Sequence, residues 1–121
     1  MSSLPSLTPW IRSLPLVGLT LADAGHGDAF LAATDHAPQS PRLQALRQYA
    51  AGEFAAAADV FARLMEPLYE ALARLRNGER LASEGRRAEA DQELMRAVAF
   101  FRKARATRFI QEAERVLAAT A

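Results

Sequence analysis

At 121 residues, half of them apolar and only 7% aromatic, the chain is long enough to bury a single hydrophobic core. A net charge of +1 excludes a field strong enough to gather nucleic acid or membrane. The absence of cysteine excludes a disulfide framework, a thiolate metal site and a cysteine nucleophile, and agrees with a cytoplasmic location.

Residues 1–7 are a loose start. Thr8-Pro9 reads as an N-cap followed by proline at the first helical position, where its missing N–H costs nothing. A helix is predicted over 9–24, with Trp10, Leu14, Val17 and Leu21 on one face and a kink at Pro15. The run 14–21 followed by Ala22-Asp23-Ala24 imitates a secretory leader. Pro15, the single early base Arg12 and Asp23 argue against that reading. No apolar run approaches the roughly 20 residues that span a bilayer.

Gly25-His26-Gly27 breaks the helix, and Asp28 is placed to cap a short one through about Thr34 that buries Phe30 and Leu31. Ser40-Pro41 repeats the cap-then-proline signature. The helix it starts, 41–51, carries Leu43, Leu46 and Ala50 and closes at Gly52. Residues 53–65 follow, with Phe54, Ala57, Ala58, Phe61 and Leu64 inward, up to the break at Glu66-Pro67. From Pro67 an apolar stripe of Leu68, Leu72, Leu75, Gly78 and Leu81 runs to about Glu84, and Gly85 makes the turn. Residues 87–103 place Ala90, Leu94, Ala97, Val98 and Phe101 inward. A last helix, 107–119, turns Phe109, Ile110, Ala113, Val116 and Leu117 inward and keeps one polar side.

The turn segments 52–57 and 85–90 are variants of one another. Their glycines lie 33 residues apart, within the range of helical repeats. Residues 41–101 resemble two tetratricopeptide repeats. Small residues (Ala45, Gly78, Ala57, Ala90) stand where helices cross, and bulky Phe61 and Leu94 fill the gap to the next unit. Gln44, Gln48 and Arg74 depart from that pattern by occupying positions that are usually apolar. Segments 81–101 and 106–114 resemble the C-terminal tails of large bacterial regulators that carry an adenylate-cyclase or AAA-type ATPase module. The fold this implies is all-α: a short α-solenoid of tetratricopeptide-like antiparallel helix pairs, about seven helices in one domain. The expected divisions are a degenerate pair over 8–38, repeats over 40–66 and 67–103, and a capping helix over 106–120.

No catalytic motif accompanies this architecture. Gly25 and Gly27 lack the rest of a phosphate loop, and no His-Glu-x-x-His occurs. His26 and His36 sit in separate loops and do not make a metal site, so no metal or cofactor is expected. Glu70–Arg74 and Glu93–Arg96 have the spacing of helical ion pairs. The basic run Arg96, Arg102, Lys103, Arg105 and Arg108 is thin for a nucleic-acid face, and the nearby phenylalanines stand at core spacing.

The resemblance implies a noncatalytic protein-protein interaction module, not an enzyme. A groove lined by the first helix of each pair would bind a protein or peptide partner. That nominates Gln44, Arg47 and Gln48 from one unit, and Arg74, Asn77, Gly78 and Leu81 from the next. A self-associating scaffold (a homodimer), a small-ligand sensor and a weak nucleic-acid binder through the basic stretch are the alternatives. No membrane partner is expected.

Overall fold

The computed structural model describes residues 19–20 and 22–120. Among them are six helices and no strand: α1 (Gly27–Ala33), α2 (Pro41–Ala50), α3 (Phe54–Arg63), α4 (Pro67–Ser83), α5 (Arg87–Lys103) and α6 (Thr107–Thr120). The all-α reading holds. The helix expected over 9–24 falls largely outside the described residues, Trp10, Leu14, Val17 and Leu21 included; Leu19, Thr20, Ala22 and Asp23 are helical. The chain divides into two compact units, Met1–Glu53 and Phe54–Ala121.

In the first unit, α2 begins as its sequence dictates. The Ser40 hydroxyl accepts from the Leu43 N–H at 3.1 Å, and Pro41 opens the helix. The cap of α1 differs from expectation. It falls on His26 without a side-chain bond, and Asp28 lies inside the first turn, where its charge favours the positive end of the helix. α1 packs on α2 closely enough that a Cβ on Gly27 would overlap the Ala50 carbonyl oxygen. Phe30, Leu43, Ala45, Leu46 and Tyr49 are buried, and the Tyr49 hydroxyl bonds Asp23 Oδ1 at 2.6 Å.

In the second unit each helix packs on the next in the chain, and α4 also touches α6. α4 therefore has neighbours on several sides and buries Ala71, Leu72, Ala73, Leu75, Asn77, Gly78 and Leu81. Leu75 of α4 is fully buried, as are Phe61, Leu94 and Phe101 of its neighbours. Each such side chain contributes about 1.5–3 kcal/mol by leaving water. Gly78 explains the close approach of α4 and α5: a Cβ there would overlap Leu94 Cγ at 2.6 Å and lie 3.4 Å from the Ala90 carbonyl. Leu68, expected inward, is 40% exposed.

One turn geometry recurs. At Gly52 (φ 84°) the Glu53 N–H donates to the Gln48 carbonyl at 2.8 Å, and the Gly52 N–H donates to Tyr49 at 3.0 Å. Gly85 (φ 79°) repeats this, with Arg86 to Leu81 at 2.9 Å and its own N–H to Ala82 at 3.1 Å. These paired bonds are the Schellman cap, which satisfies carbonyls left open at a helix end. Met65 (φ 57°) and Arg105 (φ 56°) build the same cap without glycine, through Glu66 to Phe61 and Ala106 to Phe101. Even glycine spacing conceals uneven units, because α2 and α3 have 10 residues each and α4 and α5 have 17.

Candidate interaction surfaces

Three of the nominated residues come together. Gln44, Arg47 and Gln48, one turn apart on α2, line a shallow pocket of about 300 Å³ with Leu31, Gln39, Ala51 and Glu53. Arg47 is held in place. Its Nη1 donates to the Leu31 carbonyl at 2.8 Å and to Thr34 Oγ1 at 2.6 Å, and Asp35 stands 3.7 Å from Nη2. A cation on the Leu31 carbonyl, in the last turn of α1, complements the negative end of that helix. Gln48 Oε1 is buried and accepts no hydrogen bond among the described residues.

Arg74, Asn77, Gly78 and Leu81 lie elsewhere, in the contact of α4 with α5. Arg74 bonds Glu70 at 2.8 Å and Glu93 at 3.1 Å. Asn77 Nδ2 donates to Glu93 Oε2 at 2.8 Å, and Arg80 donates to Asn77 Oδ1 at 2.9 Å. The Arg74 and Glu93 side chains are 12% and 14% exposed. Burial opposes the Arg74 charge, but the Glu70 hydrogen bond and the Glu93 charge outweigh it and raise the guanidinium above its ordinary pKa. Arg74 and Asn77 thus each fill a polar slot between two helices. The expected Glu70–Arg74 pair forms. Glu93–Arg96 does not, because Glu93 turns to α4 while Arg96 faces solvent.

A second polar cluster joins α4 to α6. Arg76 donates to Glu79 at 2.8 Å and also to Glu112. Burial pushes Glu79 above the ordinary carboxyl value in spite of Arg76. Burial would push Glu112 the same way, but the Glu79 and Arg76 hydrogen bonds overcome it and hold Glu112 below that value. Two carboxyls on one guanidinium thus divide their roles, and the first proton to bind goes to Glu79.

The sequence did not single out two grooves. One, about 330 Å³, lies between α4 and α5 beside Pro67, Arg96 and Phe100. The other, about 470 Å³, lies between α5 and α6 and is lined by Val98, Met95 and Leu117 among others. Met95 is 65% exposed. Its apolar character one residue away from the core stripe was the available signal. The bases of the 96–108 run are all exposed; Arg102 pairs with Glu114 at 3.2 Å and Arg108 stands 5.8 Å from the Phe109 ring centre. Phe101 stacks on Phe109 at 5.2 Å within the packing, as core spacing implied.

Among the described residues no group of three or more His, Asp or Glu is gathered for a metal, and no helix is long and apolar enough to cross a membrane. No family model, no curated protein and no solved structure matches the chain.

Proposed function

We propose that the chain is a noncatalytic protein-interaction module of tetratricopeptide-like helix pairs that works in the cytoplasm. Its reading as a regulatory part of a bacterial signalling protein rests on the sequence resemblance alone. The supporting observation for the repeat is the recurring Schellman turn, joined by the α4–α6 contact between alternate helices, as in an array of paired helices.

The recognition surface is the α2 pocket. Arg47 is locked by the end of α1, so it presents a preorganised edge. Gln44 and Gln48 line the pocket with side-chain amides, to which the backbone of an entering peptide hydrogen-bonds. Selection of a displayed peptide library against the whole chain tests this. Peptides that bind the native chain are expected to weaken roughly tenfold with Gln48→Leu, the loss of one hydrogen bond in a desolvated site. Binding indifferent to Gln44→Ala, Arg47→Ala and Gln48→Leu removes the pocket from consideration.

A further inference from the structure

Beside its buried face, α5 leaves the apolar side chain of Met95 in solvent. Its inward stripe is Ala90, Leu94, Ala97 and Phe101, all fully buried. One residue further round is a second stripe with the same spacing of four, three and four: Asp91, Met95, Val98 and Arg102. This second stripe lines the α5–α6 groove, with Glu114 and Leu117 of α6 on the far wall. Met95 stands 65% exposed above it, and Val98, 5% exposed, lines it from within the core.

The stripe is complementary to itself. Asp91 and Arg102 are placed symmetrically about the point between Arg96 and Ala97, and so are Met95 and Val98. When two such helices meet antiparallel on a two-fold axis at that point, Asp91 of each faces Arg102 of the other. Each Met95 then enters the other groove against Val98. The spacing is that of a coiled-coil seam, in which antiparallel partners bring these positions together. A parallel pairing would set Asp91 on Asp91 and Arg102 on Arg102, so charge selects the orientation.

We propose that the α5–α6 groove is the site at which a second copy of this chain docks, forming an isologous antiparallel dimer through α5. The occupant is a second copy because the pattern of charge and size answers itself. It also sets an Asp91 carboxylate beside each Arg102, which keeps Glu114 at its other edge.

Sedimentation velocity of the full chain over a range of concentrations tests this, with circular dichroism confirming that each variant stays folded. The native chain is expected to pass from monomer to dimer as concentration rises. Asp91→Arg alone and Arg102→Asp alone each place like charges across both symmetric contacts, and each weakens the dimer by roughly tenfold or more. An equimolar mixture of the two variants restores opposite charges at both contacts, so it dimerises when neither does alone. Met95→Glu abolishes the dimer. A native monomer at every concentration overturns the proposal and leaves the groove to a helix of another protein. A dimer that survives Met95→Glu, or a mixture no better than its parts, overturns it too.

Discussion

Met65 and Arg105 adopt a backbone conformation that costs an L-residue about 1 kcal/mol or more, and Met65 is 85% exposed, so no packing offsets it. Met65→Gly is therefore expected to stabilise the chain by about 0.5–1 kcal/mol, seen as a higher urea midpoint at unchanged slope. Gly78 presents the opposite case. Alanine improves helix propensity by about 1 kcal/mol, but its methyl would overlap a Leu94 side chain that is itself fully buried. The overlap wins, and Gly78→Ala is expected to destabilise by roughly 1–2 kcal/mol in the same measurement. The sequence exposed Gly78 as a small residue at a crossing. It could not expose Met65, because nothing local marks a methionine for the left-handed region.

At the scale of elements, helices are joined by polar clusters as well as by apolar stripes. Glu93 serves Arg74 and Asn77 together, so the α4–α5 contact has a register that Ala and Leu alone would leave loose. The Arg76 cluster does the same for α4 and α6, and it carries a pH signature. Glu79 holds its proton more tightly in the fold than in the unfolded chain. Its contribution to stability is complete below the ordinary value of 4.5 and is lost as pH rises through its raised folded value. Glu112 runs the other way: its contribution is present above 4.5 and is lost as pH falls through its lowered folded value. Stability followed by urea melts should thus gain a component as pH descends from 7 toward 4.5, and shed one below. Glu79→Gln is expected to erase the gain and leave the acid loss. Glu112→Gln should remove its acid loss and cost about 1 kcal/mol at pH 7.

Across the whole molecule, packing is unequal. α4 has helices on several sides, while α1 has seven residues and one buried side chain, Phe30. Hydrogen exchange read by mass spectrometry should therefore find the slowest amides in 71–82 and 90–101. The fastest of the described helices should be α1. Equal protection throughout would contradict this ordering.

Local chemistry determined the elements. Cap-then-proline at Ser40-Pro41, glycine closures at Gly52 and Gly85, and three- and four-residue apolar spacing depend on near neighbours, and they located helices to within a residue or two. The small residues at crossings followed from the same local rules. The roles of the polar side chains did not. Whether Arg74 lines a groove or bridges two helices depends on Glu93, nineteen residues away, and Arg47 depends on the Leu31 carbonyl and the Thr34 hydroxyl. Partners that distant in sequence are chosen by the relative placement of helices, and a pattern with period 3.6 carries no record of it.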